Sequence, residues 1–272
     1  MLIRVYSDVH WEKSVKLGMV FIPEELESDK DTVLVLAGDL HNGLSSIGII
    51  REFAYRFKAV LIVLGNHDYY GEYYPLLPGK YKEQLKQPGL ENVHLLQNEV
   101  VEIDDYAFFG STFWTNCDMN SPLVINQSKW VMQSDWFNIK WRTYIADEEH
   151  YIFRTQMYTI ERWLEEHQIA FQYLRAAANT YKNLVVITHH PGSMQAIAEE
   201  YKRYGDTNYL WASEYGDWVL DNANIKMWLS GHTHTPHNFH IGETHFVGNP
   251  IGYPGQSRSW DPIALYKLPK VT

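Results

Sequence analysis

The segment that decides the fold is Leu-Ile-Arg-Val-Tyr-Ser-Asp-Val-His at residues 2–10. Its first part, Leu2–Tyr6, has the apolar and β-branched composition of a buried strand. Asp8 and His10 follow it, and side chains two positions apart in an extended chain project to the same side. A carboxylate and an imidazole at this spacing can therefore reach one metal ion.

Four further apolar runs have the same form. They are Val33–Ala37, Val60–Leu64, Leu184–Thr188 and Ile225–Leu229. Continuous apolar runs of this length are typical of strands that are buried on both faces of an α/β sheet. Between the first two of these runs, Ser45–Phe57 carries apolar residues at helical spacing, which predicts a strand–helix–strand crossover.

Each of these runs is followed by residues that can bind a metal. In chain order they are Gly38-Asp39, Gly65-Asn66-His67-Asp68, His189-His190 and Gly231-His232-Thr233-His234. A carboxylate such as that of Asp39 has two oxygens and can bridge two cations. Ligands of open α/β sheets bind beyond the carboxyl ends of the strands, so the sequence predicts that these side chains share one cleft.

Each motif alone also has an ordinary structural interpretation. An Asp-x-His sequence at a strand end usually forms a turn or a cap, and Gly-Asp is a common turn signal. Asn66-His67-Asp68 would serve as a helix cap, and the two histidines of Gly-His-Thr-His would be solvated loop residues. Metal-binding residues after five separate strands favour a shared metal site over five independent explanations.

The composition is that of a globular protein with a sizeable core. The chain has 272 residues, of which 45% are hydrophobic and 21% are charged. This length fits one large domain or two smaller ones. Because no repeat, low-complexity tract or linker interrupts the sequence, we predict a single domain over residues 1–272 with one insertion. The formal net charge of −10 argues against a broad basic surface for nucleic acid.

The cysteine content restricts the chemistry of any metal site. The single cysteine, Cys117, excludes an internal disulfide and a cluster of thiolate ligands, so a metal must use His, Asp, Asn or Glu. No apolar run approaches the roughly 20 residues of a membrane span, and no signal peptide precedes the first strand. We therefore expect a cytoplasmic protein without membrane contact.

The remaining sequence predicts further regular elements. A short helix is expected near Tyr81–Gln87. A strand meander with a turn at Asp104-Asp105 is expected from the segments Val93–Leu96, Val100–Ile103 and Ala107–Gly110. Helical spacing returns from about Glu148 to Thr180. The predicted buried positions of this helix are Trp163, Leu164, Ile169, Phe171, Leu174 and Ala177.

The stretch from about residue 112 to 149 is rich in tryptophan and lacks clear periodicity, so we predict a cap-like insertion there. More aromatic residues follow the third apolar run, namely Tyr69, Tyr70, Tyr73 and Tyr74. These rings could form a lid that stacks on a nucleobase, a contact worth about 1–3 kcal/mol per base. A small satellite core or a dimer surface is the favoured alternative. Arg142 and Arg154 would either clamp a distal phosphate or form ordinary ion pairs.

Taken in order, these motifs resemble the full signature of the calcineurin-like metallophosphoesterases. The matching motifs are Asp8-Val9-His10, Gly38-Asp39, Gly65-Asn66-His67-Asp68, His189 and Gly231-His232-Thr233-His234. They extend over nearly the whole chain. The resemblance implies an α/β fold, a four-layer α-β-β-α sandwich in which two packed mixed sheets are flanked by helices. It also implies a metal-dependent hydrolase of phosphate esters.

The resemblance assigns the metal ligands residue by residue. It implies a first metal held by Asp8, His10, Asp39 and His234. It implies a second metal held by Asp39, Asn66, His189 and His232, so that Asp39 is the bridge. His189 is assigned rather than His190 because the ligand histidine of the family directly follows the apolar strand. His190 would then be structural.

The cofactors implied are two divalent or trivalent metal ions. Oxygen and imidazole ligands without thiolates suit manganese, iron, zinc, cobalt or nickel, and the resemblance favours manganese or iron. Purple acid phosphatases, which belong to the same superfamily, carry a tyrosine ligand three residues after the bridging aspartate. This sequence has Asn42 there, so no iron–tyrosinate colour is expected.

The implied mechanism is direct hydrolysis. Two cations about 3.5–4 Å apart would bind the phosphoryl group and supply a bridging hydroxide that attacks in line, without a covalent phospho-enzyme. His67 is the predicted group that protonates the leaving oxygen or stabilises the transition state, and Asp68 would orient it through the other ring nitrogen. Asn66 would bind metal and also contact the phosphate.

The predicted substrate is a small phosphomonoester or phosphodiester, with nucleotides among the candidates. One alternative is a catalytically silent protein-binding scaffold, since some family members keep the fold and lose metal ligands, although every ligand position is filled here. A nuclease is the other alternative, which the acidic charge and the absence of a basic tract disfavour. No chemistry is assigned to residues 248–253 or to His237, His240 and His245.

Overall fold

The computed structural model describes residues 1–17, 21–146, 151–256 and 260–270, with the backbone alone at 143–146 and 151–153. Within these ranges the strands are β1 (Leu2–Tyr6), β2 (Thr32–Ala37), β3 (Ala59–Val63), β4 (Val93–Leu95), β5 (Glu99–Ile103), β6 (Tyr106–Ser111), β7 (Lys140–Ala146), β8 (Tyr151–Met157), β9 (Leu184–Thr188), β10 (Ile225–Leu229), β11 (His237–Ile241), β12 (Thr244–Gly248) and β13 (Tyr266–Lys267). The α-helices are α1 (Trp11–Ser14), α2 (Ile47–Arg56), α3 (Leu77–Leu85), α4 (Cys117–Asn120), α5 (Pro122–Val131), α6 (Gln133–Asn138), α7 (Ile160–Thr180) and α8 (Gly216–Leu220). A longer 3₁₀ segment covers Glu199–Leu210.

These strands form two large mixed sheets and a separate hairpin. The first sheet has the order β13-β1-β2-β3-β4, in which β1 to β4 are parallel and β13 is antiparallel. The second sheet has the order β11-β12-β10-β9-β6-β5, with four parallel strands at its centre and an antiparallel strand at each edge. β7 and β8 form the hairpin. The parallel strands bring many carboxyl ends to one side of the molecule.

The two sheets pack face to face, and helices cover their outer faces. Alternate residues point into the shared core, as Val33 and Val35 of β2 and Val185 and Ile187 of β9 do. The outer face of the first sheet packs under α2 and α3, and that of the second sheet packs under α7 and α8. This arrangement confirms the predicted four-layer sandwich. Burial on both faces explains why the strand segments are continuously apolar.

The elements that lead to the predicted ligands are confirmed. They are β1, β2, β3, β9 and β10, whose bounds differ from the predicted ones by at most one residue. The crossover helix is confirmed as α2, and the helix predicted near Tyr81–Gln87 begins earlier, at Leu77. These segments are predictable because their apolar patterns are local and have clear limits.

The predicted three-stranded meander is wrong. β4 belongs to the first sheet, where it pairs with β3, whereas β5 and β6 belong to the second sheet. The β5–β6 hairpin around Asp104-Asp105 is confirmed, but β6 continues into the sheet by a parallel pairing with β9. The meander was predicted because the three segments are close in sequence, but β4 and β6 instead form parallel pairs with β3 and β9.

The region predicted as an unpatterned cap contains regular structure. It includes α4, α5 and α6 and the strand β7, which pairs with β8 just beyond the predicted region. The long helix α7 begins at Ile160 instead of near Glu148, because the chain before it forms β8. Residues 147–150, where that helix was predicted to begin, lie outside the described residues. Thr159 provides the N-cap of α7 by accepting a hydrogen bond from the backbone N–H of Arg162.

One face of α7 packs against the second sheet. The predicted positions that are fully buried are Trp163, Leu174 and Ala177. Those that are half-buried are Leu164 and Phe171. The prediction for Ile169 is wrong, since it is exposed and the next residue, Ala170, is buried in its place. No described helix, α7 included, has the length and apolar composition needed to cross a membrane.

His167 is a buried polar residue on the inner face of α7. Its Nδ1 donates to the carbonyl oxygen of Trp114, and its Nε2 accepts from the hydroxyl of Tyr215 at 2.6 Å. Burial lowers the pKa of this imidazole to about 4, although the Trp114 carbonyl raises it. The ring is therefore neutral in the folded protein near neutral pH.

We expect this histidine to make the fold sensitive to acid. In the unfolded chain a histidine has a pKa of about 6.5, so the unfolded state takes up the proton first as the pH falls. The stability that the neutral ring provides is complete above about pH 6.5, and about 2 kcal/mol of it is lost by about pH 5. In urea unfolding of the metal-free protein, His167→Gln should therefore lose less stability than the wild type between about pH 7.5 and pH 5. Equal losses in both proteins would contradict this assignment.

Candidate metal centre

The seven predicted ligands come together where the carboxyl ends of the two sheets meet. Asp8 and His10 follow β1, Asp39 follows β2 and Asn66 lies beyond β3, all in the first sheet. His189 follows β9, and His232 and His234 lie beyond β10, in the second sheet. Backbone hydrogen bonds join these loops, including Asp8 N–H to Gly38 O at 2.9 Å and Gly231 N–H to His189 O at 3.0 Å. The site is thus formed jointly by both sheets.

One group of ligand atoms consists of Asp8, His10 and His234. Ligand atoms of all three lie within 4.8 Å of one another. The Nε2 atoms of His10 and His234 are 3.1 Å apart, and His234 Nε2 is 3.3 Å from Asp8 Oδ1. Asp39 Oδ2 lies 3.7 Å from His10 Nε2 and completes the group. We refer to these four residues as the first ligand group.

The second ligand group consists of Asp39, Asn66, His189 and His232. His189 Nε2 lies 3.1 Å from Asn66 Oδ1 and 3.2 Å from His232 Nδ1. It is also 3.5 Å from Asp39 Oδ1. Asp39 therefore turns one carboxylate oxygen towards each group, which is the geometry that a bridging ligand requires.

Hydrogen bonds on the far side of three imidazole rings aim the Nε2 atoms into the site. Nδ1 of His10 lies 3.1 Å from Glu12 Oε1, and Nδ1 of His234 lies 2.8 Å from Gln256 Oε1. Nδ1 of His189 lies 2.9 Å from the carbonyl oxygen of Ala37. A ring that donates from Nδ1 keeps a free lone pair on Nε2, which is the tautomer that a metal ligand needs.

Backbone strain occurs at most of the same residues. Residues other than glycine rarely have positive φ, and such strain clusters at functional sites. Five of the seven predicted ligands have positive φ values: Asp8 (52°), His10 (47°), Asp39 (56°), His232 (68°) and His234 (51°). The strain is an observation independent of the motifs, and it supports a functional role for these strand ends.

The electrostatics of the site favour cations. Burial raises the pKa of Asp39, but His189 and His67 lower it more, so that it lies well below its usual value. Burial lowers the pKa of His189, but the carboxylates of Asp39 and Asp8 raise it to about 9. Burial, His190 and His189 hold the pKa of His232 well below its usual value. Ionised carboxylates at the centre of buried imidazoles attract a positive charge.

The residues present fit a pair of metal ions. In the second ligand group, Asn66 Oδ1, His232 Nδ1 and Asp39 Oδ1 lie 3.1–3.5 Å from His189 Nε2, so a metal ion in place of the proton on this imidazole would meet four donor atoms. Cations satisfy such a set of lone pairs. Oxygen and imidazole donors without thiolates agree with the site chemistry of manganese, iron, zinc, cobalt and nickel.

The structure corrects the role predicted for Asp68. Its carboxylate accepts hydrogen bonds from the backbone N–H groups of Asp39 at 2.8 Å and Gly65 at 2.7 Å, and of Leu40 and His41 at 3.2 Å. Among the described residues, its hydrogen-bond partners are these four backbone N–H groups, and the His67 ring is not one of them. Asp68 therefore joins the loops after β2 and β3, and the prediction that it orients His67 is wrong.

The group that faces both His67 and His10 is Glu12, which the sequence reasoning missed. Its Oε1 lies 3.1 Å from His10 Nδ1 and 3.9 Å from His67 Nδ1. The signal in the sequence was its spacing of two residues from His10. His67 itself is half-buried beside the first ligand group, and its ring lies edge-on to that of His10 with the centroids 4.7 Å apart.

Tyr253 lies at the site, although no chemistry was assigned to residues 248–253. Its hydroxyl is 3.3 Å from His67 Nε2, and its ring centroid is 4.5 Å from that of His10. The Nζ atom of Lys13 lies 3.3 Å from the centroid of the Tyr253 ring. Local sequence gave no signal for this contact, because it joins segments more than 180 residues apart.

His190 agrees with the structural role expected of it. It is fully buried, its Nδ1 lies 3.2 Å from the carbonyl oxygen of Thr112, and its ring packs against that of His232 with the centroids 4.0 Å apart. His237 is buried, and His240 and His245 face each other across β11 and β12. These three residues belong to neither ligand group.

A cavity of about 600 Å³ opens onto the ligand groups. Asp39, Asn66, His232 and His234 line its inner end. Its outer wall is built from α5 and α6 and from the 3₁₀ segment Glu199–Leu210 and the residues around it. The apolar and aromatic lining residues there are Val131, Met132, Ile197, Tyr201, Tyr204 and Trp211. This volume and lining are typical of a site for a small molecule.

Three of the aromatic residues predicted to form a lid lie in the core instead. Tyr69, Tyr74 and Trp114 are buried together, with the Tyr69 and Tyr74 centroids 4.5 Å apart. They belong to the large core cluster over the outer face of the first sheet, so they form neither a lid nor a small satellite core. The described lining of the cavity includes neither Arg142 nor Arg154, and the Arg142 guanidinium lies 4.3 Å from the centroid of the Tyr73 ring.

Comparisons with known proteins agree with this site. A family model described as calcineurin-like phosphoesterase matches residues 1–236. "Uncharacterized protein L509" of Acanthamoeba polyphaga mimivirus is 27% identical over 249 residues, which cover 86% of this chain and 83% of that protein.

A solved structure with a similar fold covers nearly the whole chain. Phosphopantetheinyl hydrolase (PptH) from Mycobacterium tuberculosis matches with a TM-score of 0.61 and 16% identity, over 95% of this chain and 93% of that chain. A putative 5'-nucleotidase from Staphylococcus aureus has a TM-score of 0.45 and 15% identity, over 91% of this chain and 48% of that chain. At 16% identity, the likeness to phosphopantetheinyl hydrolase concerns the fold.

We expect Gly65→Ala to damage the site without removing a ligand. A Cβ atom at Gly65 would overlap the Asp39 carboxylate and lie 2.7 Å from His189 Cε1. Both side chains would have to move, so metal affinity measured by calorimetry should fall by about tenfold or more. Gly48→Ala is the matched control, since nothing lies within 4 Å of a Cβ there. Metal affinity in Gly65→Ala equal to that of the control would contradict the close packing.

Proposed function

Because the chain belongs to the calcineurin-like phosphoesterase family, we propose that it hydrolyses a small phosphate ester at two metal ions held by the two ligand groups. The observation that carries this proposal is the position of Asp39. Its two oxygens lie 3.7 Å from His10 Nε2 and 3.5 Å from His189 Nε2, one towards each group. A shared carboxylate is what keeps two cations close enough to act on one phosphoryl group.

When bound, the cations would neutralise phosphoryl oxygens and make a bound water acidic enough to attack near neutral pH. The protein would hold the reacting groups in position, and no serine or cysteine nucleophile is required. Manganese or iron are the ions we propose, with zinc, cobalt and nickel as further candidates for the same ligands.

Residues around the ligand groups would act on the substrate. His67 lines the cavity beside the first ligand group without belonging to either group, so its ring N–H would stabilise the leaving oxygen. Glu12 and Tyr253 flank this ring, with Glu12 Oε1 3.9 Å from Nδ1 and the Tyr253 hydroxyl 3.3 Å from Nε2. Asn66, which also lines the cavity, would contact the phosphate in addition to binding metal.

The cavity supports a small substrate with a flat or apolar alcohol portion. Aromatic rings on its outer wall would pack against that portion, and nucleotides are among the candidates. Phosphopantetheinyl hydrolase, which shares the fold, is by its name also a hydrolase. A nuclease is disfavoured because the chain has a net charge of −10. A silent scaffold is disfavoured because every ligand position is filled.

The test compares two variants of the manganese-loaded protein on nitrophenyl phosphate and bis-nitrophenyl phosphate. Asp39→Ala should lose both bound metal and turnover, because each ligand group loses an oxygen. His67→Ala should retain its metal content, measured by plasma emission, while kcat falls by about 10²–10⁴-fold. The two esters also distinguish a monoesterase from a diesterase.

Two outcomes would contradict the proposal. One is Asp39→Ala with full metal content and undiminished turnover, which would remove the bridge. The other is a fully metal-loaded wild type that hydrolyses neither ester nor any other phosphate ester, which would favour the scaffold.

A further inference from the structure

The insertion supplies a buried carboxylate that touches a predicted metal ligand. Asp135 lies on α6 and is 2% exposed. Its Oδ1 accepts a hydrogen bond from Asn66 Nδ2 at 2.8 Å and a second from the hydroxyl of Tyr70 at 2.7 Å. Burying a carboxylate is costly unless hydrogen bonds compensate it, so this contact is a specific feature of the fold.

The contact with Asn66 decides which end of its amide faces the second ligand group. An asparagine side chain has one oxygen that can bind a cation and one nitrogen that can only donate hydrogen bonds. Because Asp135 accepts from the nitrogen, the oxygen points the other way, where it lies 3.1 Å from His189 Nε2. Without an acceptor at Asp135, the flipped amide would direct its N–H groups at the ion.

Through its hydrogen bond with Tyr70, Asp135 also helps to position His67. The Tyr70 ring stacks on the His67 ring with the centroids 4.3 Å apart and an angle of 25° between the planes. The Tyr70 hydroxyl is held by the same Asp135 oxygen that holds Asn66. One carboxylate therefore fixes both a predicted ligand and the surface on which His67 rests.

Neighbouring contacts hold Asp135 in place. Trp136, the next residue of α6, donates from Nε1 to the carbonyl oxygen of Ser128 on α5 at 3.1 Å. Its ring also packs edge-on against Trp163 of α7, with the centroids 5.6 Å apart. The short helix α6 is thus anchored to the aromatic core, and Asp135 has a rigid support.

We infer that Asp135 is a positioning residue through which the insertion orients Asn66 towards the second ligand group and steadies His67 through Tyr70. This inference rests on the proposed function for its catalytic part. It gives the insertion a role in the chemistry in addition to its role as a cavity wall. The second ligand group is then complete only when α6 is docked.

The decisive experiment is calorimetric titration of Mn²⁺ into metal-free protein. Asp135→Ala should weaken the second bound ion by about 10–100-fold and leave the first unchanged, since groups behind metal ligands have effects of this size. Asp135→Asn keeps an acceptor oxygen for Asn66 and should recover part of that affinity. Asp206→Asn is the control, because it removes one carboxylate charge from an exposed position near the cavity.

Tyr70→Phe separates the effect of Asp135 on His67 from its effect on Asn66. It keeps the ring that stacks on His67 and loses the hydroxyl, so both ions should bind as in the wild type. Its kcat on bis-nitrophenyl phosphate should fall several-fold with KM unchanged. The melting temperature of each metal-free variant reports whether a loss of affinity comes from unfolding.

The outcomes separate this inference from the proposed function. Wild-type affinity for the second ion in a folded Asp135→Ala protein overturns the inference, even if the wild type is an active phosphoesterase. Equal losses at both ions in Asp135→Ala and Asp135→Asn would also overturn it, because they indicate a general structural effect. If the wild type binds two ions but lacks turnover, the proposed function fails while the selective loss of the second ion still supports the orientation of Asn66.

Discussion

The carboxylate of Asp39 lies between two groups of ligand atoms, and the rest of the site depends on holding it there. Its loop has positive φ at Gly38 and at Asp39 itself, and a Cβ atom at Gly38 would meet His189. Asp68 fixes this loop by accepting hydrogen bonds from its backbone N–H groups. The first sheet thereby presents Asp39 to His189 of the second sheet, and the four-layer fold keeps the two strand ends in contact.

Much of this arrangement follows from local sequence. Strands buried on both faces, such as β2 and β9, appear as short apolar runs, and the chemistry stands directly after them. Parallel strands collect their carboxyl ends on one side, so the meeting of Asp8, Asp39 and His189 follows once the strands are recognised. The predicted meander of β4 to β6 failed because β4 belongs to the first sheet and β5 and β6 to the second. Nothing in the local sequence shows that these neighbouring strands join different sheets.

The residues that support the ligands were less predictable, for a physical reason. Asp135 contacts Asn66, which lies 69 residues away in the chain, so no local pattern marks this contact. Glu12 stands only two residues from His10, but its contact depends on the orientation of both side chains in the fold. The role of Asp68 was predicted wrongly because its neighbour His67 was the nearest candidate in sequence, whereas four backbone N–H groups compete for the carboxylate in the fold. The cavity wall around Tyr201 and Tyr204 has no periodic pattern from which it could be recognised.

If two metal ions share Asp39, anomalous scattering from a crystal grown with Mn²⁺ will locate both of them. We expect two peaks about 3.5–4 Å apart, one on either side of the Asp39 carboxylate. One should lie among Asp8, His10 and His234, and the other among Asn66, His189 and His232. A single peak, or a second peak away from Asp39, would contradict the sharing of Asp39 by two ions.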